Sequence, residues 1–413
     1  TGIPLDADGK PRFVQTPKAY ASGLGEGPKI RFLLDEVQRL DTSETKDDAA
    51  RALFRWAMIA RSLYGPETAN QWSAQRVRYD RFGQPLPSQP DRDQPKKKIW
   101  ELEDDEALTI VGGRLRVITL PASESPVSLL RALEKKYPDS SVRPEAHYAR
   151  ALYFQTRQQF PQALDEYAAL IETHPKHRRA ADAKGQVNTI KQPDVILGAS
   201  SVHLPGGKPM LSFTHRNTDK IEFTACAVDL VKYVLDRMED KSEQYWNYRN
   251  IGWDFFQKER WKAYTGKQVA AWTQTVERLE GHRTAEGSTP APLSEPGAYL
   301  VEARVAGRDD ISRVLVLVTD IAIVQKNAVN KGLIYVADAR TGQPLADKAV
   351  RIYEHWTEWK DSKHTLHWTS SVQTTNQDGV IEYTRKETQR SPQVDAVVAG
   401  EGGRMAFSFF QSW

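Results

Sequence analysis

Residues 314–354 restrict the fold of this chain more than any other segment. They read VLVLVTDIAIVQKNAVNKGLIYVADARTGQPLADKAVRIYE. Three apolar, β-branched runs are separated by short polar turns, and the last turn, residues 338–344, is rich in turn formers. Runs of this kind bounded by Gly, Pro and Asp are typical of β-strands. The segment therefore predicts consecutive strands of a β-rich domain.

Alternating periodicity extends upstream of this segment, to about residue 193. Every second position is apolar in four runs, which are residues 211–213, 221–225, 299–305 and 314–318. Short strands at this spacing, each with one apolar face, are typical of a β-sandwich of immunoglobulin-like build. We therefore expect one such sandwich over residues 193–320.

A second β-sandwich is predicted from Ile321 onward. Its predicted strands are residues 333–338, 348–353, 367–374, 380–383, 394–399 and 404–410. The last strand leads to Trp413 without a closing linker, so we expect the natural protein to continue.

A helical, Trp-rich insertion interrupts the first predicted sandwich at residues 229–263. Its large apolar side chains are Leu230, Val234, Trp246, Trp253, Phe255, Phe256 and Trp261. Clustered tryptophans can stack on sugar rings, but they more often anchor an insertion to the body of a domain. We favour anchoring.

The N-terminal part of the chain has helical periodicity instead. Apolar residues recur at intervals of three and four over residues 28–40, which predicts a helix. A second helix is predicted by the capping pair Thr45 and Asp48 and by an apolar stripe that stops at Gly65. Residues 65–98 are polar and proline-rich, and predict a linker or a long surface loop.

Residues 125–190 carry a pattern of paired helices. The spacing of a tetratricopeptide repeat, with small residues where helices approach and aromatic residues between them, is present at Ala151, Phe154, Ala163, Tyr167 and Pro175. The motif's usual Trp and Leu positions hold His147 and Arg150. Two interpretations stay open: a helical spacer, and a groove that binds a protein or peptide partner.

These patterns together predict a multidomain α and β fold, in which a helical N-terminal region with tetratricopeptide-like hairpins is followed by two immunoglobulin-like β-sandwiches. The predicted domains are residues 1–98 (helical region and linker), 99–192 (β-hairpin and tetratricopeptide-like helices), 193–320 (sandwich with the Trp-rich insertion) and 321–413 (second sandwich, truncated).

The turn at residues 338–344 has the sequence Asp-x-x-Thr-Gly-x-Pro and lies between two strands. This arrangement resembles the alpha-2-macroglobulin family, where it opens one of the β-sandwiches called macroglobulin domains. The order of hairpin, helical repeats and sandwiches resembles large bacterial members of the family, as do the segments RQQFPQALDEY (157–167) and NIGWDFFQ (250–257). The resemblance implies the N-terminal part of a periplasmic, cell-envelope or secreted protein that traps proteases.

The resemblance also implies a mechanism for the parent protein. In this family a protease cuts an exposed bait segment, the molecule collapses around the protease, and in some members a Cys–Gln thioester couples to it. A thioester needs Glu-Gln within a few residues of the cysteine, whereas Cys226 is followed by Ala-Val-Asp-Leu. We therefore expect Cys226 to be an inert strand residue and this chain to be scaffold.

No catalytic, cofactor-binding or metal-binding residue is predicted. The glycines of residues 23–27 lack the flanking strand and helix of a dinucleotide site, and neither Gly-x-Ser-x-Gly nor His-Glu-x-x-His occurs. His355, His364 and His367 are candidate metal ligands, but the last two would point to opposite faces of one strand. The acidic run of residues 101–106, which precedes a predicted hairpin around Gly112-Gly113, fits a solvated face better than acid–base catalysis.

Composition excludes some partners. The chain of 413 residues has 57 Lys and Arg against 54 Asp and Glu, a balance that does not indicate nucleic acid or an anionic membrane. No apolar run reaches the roughly 18 residues of a membrane helix.

The predicted function is the non-catalytic N-terminal scaffold of a macroglobulin-type endopeptidase inhibitor, which meets proteases through the full-length parent. The alternative is an adhesion or assembly module of the bacterial envelope with no protease role.

Overall fold

The computed structural model describes residues 3, 5–7, 9–42, 44–64, 97–111, 114–239, 255–256, 258–328, 330–360, 363–384 and 393–409. The predicted linker, apart from residues 97–98, lies outside these parts. The chain divides into two compact units. Unit 1 is Thr1–Gln192 with Glu280–Arg283, and unit 2 is Pro193–Leu279 with Thr284–Trp413.

Unit 1 is mainly helical. Its described elements are α1 (Glu26–Arg39), α2 (Lys46–Tyr64), β1 (Glu106–Val111), β2 (Arg114–Thr119), α3 (Pro126–Lys136), α4 (Arg143–Thr156), α5 (Phe160–Thr173) and α6 (Arg178–Lys191). Each helix packs against the next one along the chain, and β1 and β2 form an antiparallel hairpin beside α2. The predicted turn of this hairpin, Gly112-Gly113, lies outside the described residues.

Local sequence explains where several of these helices begin. The hydroxyl of Ser125 accepts the N–H of Ser128 at 3.2 Å, and Pro126 occupies the first turn of α3. Thr45 precedes α2, but its hydroxyl donates to the carbonyl oxygen of Leu40 at 2.5 Å. Helix α2 thus begins next to Thr45, as predicted, and the Thr45 hydroxyl also holds the turn that precedes the helix.

Two apolar cores stabilise unit 1. The first joins α2, β1, α3 and the start of α4 around Trp56, which is 1% exposed and donates its ring N–H to the Ser123 carbonyl at 2.9 Å. The second lies between α4, α5 and α6, where Ala151 and Ala163 allow close helix approach and Tyr167 fills the remaining space.

Unit 2 begins with a pair of sheets. Its first elements are β3 (Asp194–Leu197), β4 (Ser201–His203), β5 (Met210–Arg216), β6 (Lys220–Val228), α7 (Leu230–Glu239), α8 (Trp261–Tyr264), β7 (Thr265–Thr275), β8 (Ala285–Pro290), β9 (Gly297–Val305) and β10 (Ile311–Val318). A five-stranded sheet, β4-β10-β9-β6-β7, and a three-stranded sheet, β3-β5-β8, share one apolar core. All their strand pairs are antiparallel except β4 with β10.

A second pair of sheets follows without a linker. Its strands are β11 (Ile321–Asn327), β12 (Lys331–Asp338), β13 (Ala349–Lys360), β14 (Lys363–Thr374), β15 (Val380–Thr384), β16 (Gln393–Ala399) and β17 (Met405–Phe407). The three-stranded sheet β11-β12-β15 and the four-stranded sheet β14-β13-β16-β17 also share a core. The chain is thus a multidomain α and β protein, as the sequence predicts.

Some strand lengths differ from the predictions. β13 and β14 continue as a paired antiparallel hairpin to Lys360 and Lys363, well beyond the predicted ends at residues 353 and 367. The last predicted strand, 404–410, is reduced to β17, which pairs only with Val397–Ala399 of β16, and residue 410 lies outside the described part.

Candidate functional site

The corner at residues 338–344 is built around one carboxylate. Asp338 accepts the backbone N–H of Arg340 at 3.0 Å and of Thr341 at 2.8 Å, and also the Thr341 hydroxyl at 2.9 Å. The N–H of Thr341 is the main reason why the pKa of Asp338 lies below its usual range. The carboxylate therefore replaces missing backbone partners in a tight turn.

The rest of the corner needs its Gly and Pro. Gly342 has φ of 72°, in the left-handed region, and its carbonyl accepts the hydroxyl of Tyr335 at 2.8 Å. Pro344 forms an antiparallel bridge with Ala337. The corner passes the chain from β12 in the three-stranded sheet to β13 in the four-stranded sheet. The Asp338 carboxylate, the Thr341 hydroxyl and the Gly342 carbonyl are engaged in hydrogen bonds within the corner. The corner is therefore a structural feature.

The described part of the insertion fills the space between the two sheet pairs of unit 2. Helix α7 and Phe255 share a core with the five-stranded sheet on one side and with Tyr353 and Val397 of the four-stranded sheet on the other. The ring of Tyr233 lies 4.9 Å from that of Phe255. These aromatic side chains anchor the insertion. Trp246, Trp253 and most of the 250–257 segment lie outside the described residues.

The acidic run of residues 101–106 is held by basic side chains. Lys97 lies 2.5 Å from Glu106, and Arg131 forms an ion pair with Asp104. Arg157, which is fully buried, donates to the carbonyl oxygens of Glu103, at 3.0 Å, and of Glu106. The acidic run is therefore held in place by these contacts. Arg157, the first residue of the 157–167 segment, thus has a structural role.

The two residues that depart from the repeat motif form a buried charge network. The Arg150 guanidinium donates to Glu166 at 2.7 Å and to Glu134 at 2.7 Å, which joins α4 to α5 and to α3. His147 Nε2 lies 2.6 Å from Glu134. These contacts replace the apolar packing of the usual Trp and Leu with charge-assisted hydrogen bonds.

Cys226 lies on β6, next to a register shift in its pairing with β7. Burial, with a smaller effect of the Glu302 carboxylate, raises the pKa of its thiol. A raised pKa lowers the thiolate fraction and hence the nucleophilicity. The inert role of Cys226 stays a prediction.

Strand register places two of the three candidate histidines, His355 and His367, on opposite faces of the sheet. His355, which is buried, has Nε2 3.1 Å from Asp395. His367 is paired with Trp356 on the opposite face, where its Nε2 lies 3.0 Å from Glu358. The side chain of His364 lies outside the described part. Within the described residues, no three His, Cys, Asp or Glu side chains form a group that could hold a metal ion.

The sequence patterns did not single out Arg61 on α2. Arg61, near the end of α2, donates to the hydroxyl of Thr156 on α4 at 3.1 Å. Arg61 continues a helical row with Phe54 and Met58, and this spacing is a sequence signal that could have singled it out.

No protein-family model matches the sequence, and no curated protein matches it. Similar solved structures include native alpha-2-macroglobulin from Escherichia coli spanning domains NIE-MG1, with 16% identity, a TM-score of 0.36, and coverage of 52% of this chain and 96% of that chain. A Salmonella alpha-2-macroglobulin mutant has 12% identity and a TM-score of 0.34, over 52% of this chain and 12% of that chain. The D0-D1 domain of intimin has 12% identity and a TM-score of 0.21, over 52% and 94%.

The macroglobulin structures belong to the family that the sequence resembles. Among the described helices, none combines the length and the apolar character needed to cross a membrane.

Proposed function

We propose that this chain is the N-terminal scaffold portion of an alpha-2-macroglobulin-like endopeptidase inhibitor and has no catalytic role of its own. The observation that carries the proposal is the corner at residues 338–344. Its hydrogen bonds give a structural reason for Asp338, Thr341 and Gly342 of the family-like pattern. The corner also connects two facing sheets, as expected of the sandwich that this pattern opens in the family.

The proposal assigns a role to each predicted domain. Residues 193–320 and 321–413 form two macroglobulin-like, immunoglobulin-like sandwiches, because each range contributes two sheets around its own core. Residues 99–192 form a hairpin with tetratricopeptide-like helices, because buried Ala151, Ala163 and Tyr167 have the packing roles that the repeat requires. Residues 1–98 form the helical lead-in and linker.

The junction of the two sheet pairs supports a scaffold role over a trapping role. β10 ends at Val318 and β11 begins at Ile321, so only Thr319 and Asp320 separate them. A bait segment must be exposed and long enough to enter a protease cleft. The junction is neither, because the Thr319 hydroxyl accepts the N–H of Ile321 at 3.2 Å and the Asp320 carboxylate pairs with Arg404 at 3.1 Å. By resemblance, the parent belongs in the periplasm, the cell envelope or outside the cell.

The proposal is tested on the natural polypeptide in which this sequence occurs. After incubation with trypsin, we expect cleavage of a large protein substrate to fall while cleavage of a small peptide substrate persists, since a trapped protease is shielded from large molecules only. Unchanged cleavage of the large substrate would contradict the inhibitor assignment and favour the alternative, an adhesion or assembly module of the envelope.

A further inference from the structure

Helices α2, α4 and α6 contribute to one side of unit 1. On α4 this side contains Tyr148 and Gln155, which are seven residues apart and therefore lie on the same helix face. The amide of Gln155 donates to the Gln186 side chain of α6 at 2.8 Å. The guanidinium of Arg179, also on α6, lies 4.7 Å from the centre of the Tyr148 ring.

Helix α2 comes close to this side at Arg61. The hydroxyl of Tyr167 donates to Gln155 at 2.7 Å, and its pKa, which burial raises, is lowered in part by the nearby Arg61 charge. The Arg61 guanidinium donates to Thr156, the residue after Gln155, and its central carbon lies 5.4 Å from the ring centre of Tyr153. One and two turns earlier on α2, Met58 and Phe54 are half-buried. We call the surface that contains Arg61, Met58, Phe54, Tyr148, Gln155 and Gln186 the Arg61 face.

The charge of Arg61 is not neutralised by any carboxylate in the described part of the chain. Several other arginines on these helices differ in this respect. Arg51 pairs with Asp47 at 3.2 Å, Arg150 with Glu134 at 2.7 Å, and Arg179 with Glu145 at 2.6 Å. Arg61 is half-buried, and its contacts are a neutral hydroxyl and an aromatic ring.

A half-buried guanidinium has lost part of its hydration, so an external carboxylate that binds it gains more than at a fully exposed site. The planar fork of Arg matches a carboxylate. One nitrogen of Arg61 donates to Thr156, and the others have no hydrogen-bond acceptor among the described residues. The site is therefore prepared for an anionic group.

Neighbouring groups indicate that the anion belongs to a peptide. Gln186 accepts from Gln155 through its oxygen, which leaves its NH2 group without a partner among the described residues and available to a backbone carbonyl. Met58 and Phe54 offer apolar contact beside the charge. A small inorganic anion would use only Arg61, whereas an extended peptide with a carboxylate and apolar neighbours would use all three kinds of group.

We propose that the Arg61 face binds an extended peptide segment in which Asp or Glu is flanked by apolar residues, with Arg61 as the anchor of the carboxylate. This binding activity goes beyond the scaffold role and does not depend on it.

The test uses the full chain and a fluorescein-labelled peptide of alternating Leu and Asp, with fluorescence anisotropy as the measurement. The matched peptide has Asn in place of every Asp. Because hydrogen bonds to charged groups contribute about twice as much as neutral ones, we expect the Asn peptide to bind roughly tenfold more weakly. Equal affinity for the two peptides, or no binding of the Asp peptide, would overturn the proposal.

Variants locate the binding. We expect Arg61→Gln to weaken binding of the Asp peptide by about tenfold or more, and Arg61→Lys, which keeps the charge but loses the fork, to have a smaller effect. Arg55→Gln on the exposed part of α2 is the matched control and should change affinity by less than about twofold. Circular dichroism melting confirms that each variant is folded.

Two further results would count against the proposal. An Arg61→Gln variant that is folded and binds the Asp peptide as well as the parent chain would show that the carboxylate is held elsewhere. Inorganic phosphate that displaces the peptide as effectively as unlabelled peptide does would show an anion site without peptide recognition.

Discussion

Tyr353 donates its hydroxyl to the carboxylate of Glu239, with an oxygen–oxygen distance of 3.3 Å. Glu239 is the last residue of α7, and Tyr353 lies on β13 of the four-stranded sheet. Burial, with a smaller effect of the Glu239 charge, raises the pKa of Tyr353 to about 12. The helix inserted into the first sheet pair is therefore fastened to the second, which makes the insertion a brace within unit 2.

This brace predicts a coupling between the two residues. Tyr353→Phe should lower the free energy of unfolding by about 1 kcal/mol, because it removes one hydrogen bond from a buried ring. Glu239→Ala in the same background should then have little further effect. Urea denaturation of the single and double variants measures the coupling. Losses that simply add would show that the bond contributes nothing.

Arg157 should be among the most sensitive positions of unit 1. Arg157→Met leaves the carbonyl oxygens of Glu103 and Glu106 without their buried donor, and we expect a loss of about 3 kcal/mol. Hydrogen exchange should accelerate in β1, which continues from the acidic run. Arg131→Met, which removes an exposed ion pair with Asp104, is the control and should cost less than about 1 kcal/mol. Equal losses would contradict the role of Arg157.

His215 should make unit 2 sensitive to acid. Its side chain is buried on β5 beside Phe213, and burial lowers its pKa below the usual 6.5. The unfolded chain therefore binds a proton that the folded chain resists, so stability is highest above about pH 6.5 and falls as the pH drops below it. His215→Phe should reduce this fall, measured as the melting temperature between pH 7 and pH 5. An unchanged pH dependence would assign the fall to other groups.

Substitution of Gly342 by a residue with a side chain should destabilise unit 2. Its φ of 72° costs about 1–2 kcal/mol for a residue with a Cβ, so Gly342→Ala should destabilise unit 2 by that amount. Gly185→Ala is the matched control, since Gly185 lies in α6 with open space around it, and this change should stabilise by roughly 0.5–1 kcal/mol. Chemical denaturation measures both. A neutral Gly342→Ala would show that the corner does not depend on a glycine in the left-handed conformation.

Much of the fold is predictable from local pattern. The stripe on α2 and the alternation of Ile221 and Phe223 both require one buried face, and the structure buries those faces. The exposed edge strand β7 was missed, because most of its side chains face solvent and its sequence lacks a clear alternation. The parallel pairing of Val316 with Ser201 joins positions far apart in the sequence, which no local pattern reveals.

The polar features were harder to predict than the strands. Arg157 lies in a polar run, and its burial depends on carbonyl groups from residues about fifty positions earlier in the chain. Arg61 has a clear helical position, but only its tertiary neighbours show that no carboxylate among the described residues pairs with it. Burial and pairing of charges are tertiary properties, whereas the periodicity of apolar residues is local.

The central claim is that this chain is scaffold and does not trap proteases alone, and the most direct measurement is a protease protection assay on the chain itself. The chain is incubated with trypsin, and cleavage of a large protein and of a small peptide are then followed in parallel. We expect the chain to protect neither substrate. Reduced cleavage of the large protein with undiminished cleavage of the small peptide would show that the chain traps by itself, and would contradict the account.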